Sequence, residues 1–345
     1  MSLKPSLILF FLLLTFFCFP RSEPPFKVTF YNVENLFDPE NNPDKDDDDF
    51  TPEGKRKWNN YRYYNKIKNL GKVISNTGEW DIPALVGLCE IENEKVLKDL
   101  ARHSPLMKFE YRYVLTDSDD VRGMNVALLY QRDRFKYIEH QEIQPLLSNN
   151  SKKTRNILYV TGMIITGDTL DVFICHYPSR REGQKETEKD RIQVSNALRA
   201  TIDSLFSVRK YPQILIMGDF NDEPKDKSIY QILGAKEISD ISEADHLYNL
   251  FYSISKESKI GSYKYKEDWN FLDQILVSGN LLNQESPFRI KPDSPRIYQA
   301  DYILTEDITQ GGLRPLKTYH GYRHEGGFSD HLPVCVGFEF IIPEF

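Results

Sequence analysis

Ile214-Leu215-Ile216-Met217-Gly218-Asp219-Phe220-Asn221-Asp222 is the stretch from which the fold can be read. Four apolar residues in a row, followed by turn formers, predict a buried strand. The strand stops at a glycine, and two polar groups, Asp219 and Asn221, follow two positions apart. With extended geometry continuing, both fall on the same side of the chain. One can accept a proton from water while the other donates to an anionic oxygen. An ordinary Gly-Asp turn uses the same residues, so this segment alone does not establish chemistry.

Three other apolar runs end in the same manner. Val28–Tyr31 stops at Asn32, Leu85–Cys89 at Glu90, and Val172–Cys175 at His176. Strand ends carrying metal- or proton-competent side chains point to one convergent site at a common sheet edge, where loops are held by a rigid scaffold. Phe271-Leu272-Asp273-Gln274-Ile275-Leu276 places a carboxylate within an apolar strand, which is costly unless the carboxylate is paired. Phe328-Ser329-Asp330-His331-Leu332-Pro333-Val334 sets an acid beside an imidazole before a final strand. A carboxylate fixes a histidine's tautomer and favours the imidazolium, so His331 is the expected partner of Asp273. Capping of a backbone amide by Asp273 is the alternative.

Further strands are predicted near Lys27–Tyr31, Ala84–Cys89, Val126–Tyr130, Leu158–Ile165, Asp171–Cys175, Gln213–Met217, Leu272–Val277 and Pro333–Phe338. Tyr63, Ile67, Leu70 and Ile74 repeat with helical spacing, as do Val194, Leu198, Ile202 and Leu205, giving two amphipathic helices. Trp58 and the Tyr61–Tyr64 cluster fall in the first helical pattern and are expected to pack in the core. Strands mixed with helices imply an α/β or α+β protein. Residues 222–270 and 279–327 are turn-rich, and Pro39–Gly54 is a polar loop whose Asp46–Asp49 run lacks the ligand spacing of a calcium loop. No internal repeat or long linker interrupts a single domain over residues 26–345.

Composition narrows the classes. The 345 residues carry 40% hydrophobic and 13% aromatic side chains, too apolar for a disordered chain. A net charge of −7 argues against a chain that wraps nucleic acid with its whole surface. It leaves room for an enzyme whose positive charge is supplied locally. Leu7 to Phe19 is an almost unbroken apolar run, ended by Arg21-Ser22-Glu23-Pro24-Pro25. It is shorter than the ~20 residues of a membrane span, so residues 1–22 read as a secretory signal segment and the protein as exported, periplasmic or extracellular. Lipoprotein anchoring through Cys18 is the alternative, against which stand Phe16 and Phe17 where small residues are expected. Cys89, Cys175 and Cys335 lie in apolar runs and are expected to be buried free thiols.

The ordered series Asn32, Glu90, His176, Gly218-Asp219-Phe220-Asn221, Asp273 and Ser329-Asp330-His331 resembles the endonuclease/exonuclease/phosphatase superfamily. The resemblance implies a four-layered α/β sandwich of two mostly antiparallel β-sheets flanked by helices. It also implies metal-assisted phosphoester hydrolysis. Glu90 is then the main carboxylate ligand of a divalent cation, with Asn32 and Asp330 completing the shell and Glu34 reaching a second ion. Oxygen ligands suit Mg²⁺, with Mn²⁺ tolerated. Asp219 activates water, Asn221 donates to the phosphoryl group, His331 is polarised by Asp273, and His176 stands near the leaving group. Arg122 and Arg181 are candidates for clamping phosphate, since arginine presents two parallel donors.

The resemblance leaves the substrate open. A secreted nuclease acting on DNA or RNA is the leading expectation. A phosphatase or a phospholipid phosphodiesterase is the rival, and Leu247–Tyr252 is the one segment that tempts a membrane reading. A non-catalytic surface binding protein is a third reading, against which the intact motifs argue.

Overall fold

A computed structural model describes residues 25–147, 152–238 and 243–341 of the protein. The expected signal segment, with Cys18, lies outside the described residues. Two mixed sheets dominate. The first runs Phe288–Ile290, Val334–Phe340, Phe26–Leu36, Leu85–Ile91, Asn125–Tyr130, Arg112–Leu115, with Arg296–Ile297 added beside Val334–Phe340. The second runs Lys136–Ile143, Ile157–Met163, Thr169–His176, Ile214–Asp219, Asp273–Ser278, Leu247–Asn249, Ala235–Lys236. Most neighbours are antiparallel. Phe26–Leu36 with Leu85–Ile91, and Thr169–His176 with Ile214–Asp219, are the parallel pairs at the two centres. The fold is therefore the expected mixed α/β arrangement.

Alternation along the strands sorts the core. Leu215 and Met217 join Val172, Ile174, Ile275 and Val277 in a cluster shared with Val28, Phe30, Leu85 and Leu128 of the other sheet. Ile214 and Ile216 point the other way and meet Val194, Leu198 and Ile202 of the Gln184–Val208 helix. At the sheet-to-sheet contact sits Gly87, where an added Cβ would come within 2.5 Å of Met217 Sδ. A side chain there would push the layers apart. On the first sheet's other side, the Asn60–Thr77 and Glu94–Arg102 helices bury Tyr63, Ile67, Leu70, Val96 and Leu97. Asn59 and Asn93 cap them by accepting the Arg62 and Val96 N–H groups.

Several details differ from expectation. Trp58 is fully buried but precedes its helix, and in the tyrosine cluster Tyr63 is buried while Tyr61 and Tyr64 face outward. Lys136–Ile143 is an additional edge strand with charged, mostly exposed side chains. Cys89, Cys175 and Cys335 are buried free thiols. No helix among the described residues is long and apolar enough to cross a membrane.

Candidate active site

The second sheet sets three chemical side chains in one row. His176 pairs in register with Asp219 on the parallel strand, and Asp219 with Asp273 on the antiparallel one. Each continues the inward-facing alternation of its strand, so all three end the apolar face at the same edge. In the first sheet, two irregularities bring residues up to meet them. The Phe26–Leu36 strand slips register between Asn32 and Leu36, and the Leu85–Ile91 strand bulges at Glu90 against Asn125–Tyr130. Glu34, Asn35 and Glu90 all take left-handed φ values of 52°, 48° and 63°. Bulges re-aim side chains at sheet edges, and non-glycine residues held at positive φ concentrate at functional sites.

Polar atoms converge on Asp219. Its Oδ2 accepts from Asn32 Nδ2 at 3.0 Å and lies 3.8 Å from His176 Nε2 and 3.9 Å from His331 Nε2. Glu90 Oε1 stands 3.9 Å from His176 Nε2 and 3.5 Å from Asn32 Nδ2, while Glu90 Oε2 accepts the Asn35 N–H at 2.6 Å. The pairing expected for Asp273 is present: His331 Nδ1 is 2.6 Å from Asp273 Oδ2. The Ser329–His331 loop is tied down by Ser329, which donates to Asn32 O at 2.7 Å and accepts the His331 N–H. Tyr263 lies over the His331 ring, with centroids 4.7 Å apart.

Burial sets the protonation states. Burial, and then the nearby Asp273 carboxylate, push Asp219 up to about 7 against the opposing charge of His331. Burial would lower His331, but Asp273, together with Asp219 and Asp330, outweighs it and holds the imidazolium well above the ordinary histidine range. His176 falls well below that range through burial and then the charges of Arg155 and Arg122. The two histidines are thus pushed apart, one neutral and one charged, as an acid and base pair requires. Asp330 is also raised, first by burial and against the charge of His331.

Asn221, at φ 49°, donates to Tyr177 O through Nδ2 at 3.1 Å and gives its own N–H to Asp219 Oδ1 at 3.0 Å. Its loop is clamped by Arg180, whose Nε donates to Asn221 O at 2.5 Å and whose Nη2 contacts Asp222 and Asp226. Arg191 and Ser228 also hold Asp222. Arg181, the expected phosphate ligand, is instead exposed, with its backbone N–H on Ser179 Oγ. Arg180 is the arginine turned inward, and it is spent on the loop. Arg122 reaches Asn35 Oδ1 at 3.2 Å, beside the cluster. Arg155, which sequence reasoning passes over, is buried and donates to Tyr177 O at 2.6 Å.

Glu34, expected to reach a second ion, is engaged by groups of the chain itself. Its Oε2 accepts the Thr318 N–H at 2.7 Å and lies 3.9 Å from the Nζ of Lys66, which is itself buried and donates to Thr318 Oγ1 and Glu34 O. An ammonium group already balances this carboxylate, so Glu34 positions the strand end. Burial lifts Glu34 to about 7 and lowers Lys66, each charge offsetting the effect for the other. Lys66 is legible in hindsight, since it sits three residues after Tyr63 and four before Leu70, on the apolar helix stripe. Lys66→Met is expected to lower unfolding free energy by about 3–5 kcal/mol, because a buried carboxylate is left alone. Denaturant unfolding checks this, and adding Glu34→Gln should recover most of the loss. No recovery in the double variant would mean that the lysine acts through packing.

The remaining oxygen donors suit a hard cation. Glu90, Asp219 and Asp330 contribute carboxylate oxygens, donors that suit a hard cation such as Mg²⁺ or Mn²⁺, while Asn32 turns its Nδ2 toward Glu90 and Asp219 and its Oδ1 accepts the Glu34 N–H at 3.0 Å. The Sγ of Cys89 also lies near His176 and Asp219, within 4.8 Å of their ligand atoms. Burial keeps its thiol protonated, with Asp219 adding to the effect.

Comparison with solved structures shows the same fold across nearly the whole chain. D. rerio TDP2 complexed with single-strand DNA product is 14% identical, with 92% of this chain and 100% of that chain covered at a TM-score of 0.57. An endonuclease/exonuclease/phosphatase family protein from Bacteroides thetaiotaomicron is 17% identical, covering 93% and 99% at 0.56. A mannosyl-6-phosphatase of the same organism is 18% identical, covering 91% and 100% at 0.56. A search of curated protein sequences finds no match. The model of the Endonuclease/Exonuclease/phosphatase family matches residues 27–339, spanning every site residue described above, and the chain belongs to that family.

Proposed function

We propose that the protein is an exported, divalent-cation-dependent phosphodiesterase that hydrolyses nucleic acid, with single strands favoured, by in-line attack of water. The convergence of Asn32, His176 and His331 on one oxygen of Asp219 carries this reading. Asp219, lifted toward neutrality, takes the proton of the attacking water. His331, kept charged by Asp273, donates from Nε2 to a non-bridging phosphoryl oxygen. Asn221 adds the second N–H of its amide, and neutral His176 stands on the leaving-group side. Glu90 with Asn32 and Asp330 would hold Mg²⁺ or Mn²⁺, which when bound neutralises charge developing on the phosphoryl oxygens. The residue 1–22 segment supports export.

The single-strand preference is supported by a groove of about 320 Å³ beside Asp330, lined by Tyr263, Tyr265, Lys264, Lys266, Arg314 and Lys317. Aromatic faces interleaved with cations stack bases and follow a phosphate backbone without reading sequence. The small size of this groove favours, as the second reading, a phosphatase for a phosphorylated small molecule. Within Leu247–Tyr252, the segment that tempts a membrane reading, Leu247–Asn249 is a buried strand and Leu250 and Phe251 are buried, which removes that support for a phospholipid substrate.

The test is a panel of single-stranded DNA, duplex DNA, RNA, sugar phosphates and sphingomyelin, assayed with Mg²⁺ and again with EDTA. Single-stranded nucleic acid is expected to be degraded, with loss in EDTA of at least about 100-fold and recovery on adding Mg²⁺. Sugar-phosphate turnover with intact nucleic acid would install the second reading. Full activity in EDTA would sink both.

A further inference from the structure

Next to the catalytic cluster, a cavity of about 200 Å³ opens on the far side of Asp330. Three cations from separate segments border it: Arg56 from the loop before the first helix, Lys66 from that helix, and Lys317 from the turn-rich C-terminal region. Phe50 and Tyr319 form walls. Arg56 is held rigidly there. Its guanidinium lies 4.8 Å from the Phe50 ring centroid, 4.9 Å from Tyr319 and 5.6 Å from Tyr322, and Nη1 donates to Gly321 O at 3.1 Å. The buried Nε of Arg56 has no hydrogen-bond partner. Burying an arginine N–H without an acceptor costs free energy unless a ligand supplies one.

Charge within the cavity favours an anion. Of the two bordering carboxylates, Glu34 is balanced by Lys66 and the Thr318 N–H. Asp330 faces His331 and Glu90 on the catalytic side, and Lys317 and Lys66 also bear on it. With three cations against two carboxylates in the lining, Arg56 remains as the surplus positive charge. The volume admits one phosphate with its hydration and excludes a nucleoside. Lys317 and Asp330 also border the larger aromatic groove, so cavity and groove meet at these two residues, of which Asp330 is next to His331 in the chain. We infer that this cavity binds a second, non-scissile phosphate of the substrate, so that the enzyme prefers esters bearing a terminal phosphomonoester next to the bond it cleaves. The inference rests on the phosphoesterase reading and narrows its substrate class.

Binding to Asp219→Asn protein separates the two claims, since it needs no turnover. Calorimetric titration would compare dinucleotides and sugar phosphates that carry an additional 5′- or 3′-phosphate with those that lack it. One phosphorylated position is expected to bind about tenfold tighter or better, a margin typical of charge-assisted hydrogen bonds. Adding Arg56→Gln should bring the ratio toward one. Lys317→Gln, at the cavity rim, should reduce it in part and serves where Arg56→Gln lowers the melting temperature. Equal affinity with and without the added phosphate at every position overturns the inference. Wild-type turnover of the unphosphorylated dinucleotide, read separately, tests the phosphodiesterase itself.

Discussion

Asp219→Asn is expected to lower kcat by about 10³-fold or more while the protein melts at the same temperature as wild type or higher. The first part follows from losing the proton acceptor that stands 3.8–3.9 Å from both imidazoles. The second follows from burial. A carboxyl group pushed up to about 7 is one whose ionised form the native state disfavours. Relative to an unfolded aspartate near ~3.9, the folded protein binds the extra proton between those values, so this group takes stability away as pH rises from acid toward neutrality. Asparagine keeps the shape and the Asn221 N–H contact but carries no charge to desolvate. Stability curves of the two proteins should therefore agree at pH 4 and diverge by pH 7 in favour of the variant. Mg²⁺ at Glu90, Asn32 and Asp330 should narrow the gap, because nearby positive charge favours the ionised carboxylate and does nothing for the amide. Near-normal turnover by the purified variant would remove Asp219 from the role of base, whatever its stability.

The parts of this centre that were legible in the sequence are those that end an apolar alternation. Asn32, His176 and Asp219 each follow a run whose inward-facing members are forced by the core, so the next polar residue on that face can only stand at the sheet edge; Glu90 instead follows the inward-facing Cys89 and is brought to the site by its bulge at φ 63°. Asp273 was legible for the converse reason: a carboxylate at the start of Gln274-Ile275-Leu276 needs a partner, and His331 supplies it at 2.6 Å. What stayed hidden depends on loops that carry no periodicity. Arg180 and Arg181 are adjacent and chemically identical in sequence. Only the Asn221–Asp226 turn decides that Arg180 faces inward and leaves Arg181 in solvent. Arg155 comes just before a strand and announces nothing, yet its guanidinium adds to burial in keeping His176 neutral. The edge strand Lys136–Ile143 was invisible because its charges protect an open edge from pairing, the opposite of the pattern by which strands are recognised.

Asp273→Asn should separate the orienting carboxylate from the group it orients. In the native protein the Asp273 carboxylate accepts from His331 Nδ1, fixing which nitrogen carries the proton and leaving Nε2 aimed toward Asp219. Its charge and hydrogen bond, together with the charges of Asp219 and Asp330, also outweigh burial in setting the imidazolium well above the ordinary histidine range. The amide can hold the ring by a hydrogen bond but contributes no negative charge, and it can also donate, favouring the wrong tautomer. A fall in kcat of about 10²–10⁴-fold is expected, as for other histidines deprived of an orienting carboxylate. The pH profile gives the decisive readout. Because the folded His331 is raised above its unfolded value near ~6.5, the pair's contribution to stability is complete below that value and is lost only as pH climbs through the higher native one. Without Asp273, burial acts unopposed by its charge, so the alkaline limb of activity should move toward acid and the residual rate should peak at lower pH than in wild type. His331→Ala should lose the limb altogether. If Asp273→Asn slows turnover but leaves the alkaline limb in place, Asp273 supports the loop without controlling the proton, and the charged His331 loses its part in binding the phosphoryl oxygen.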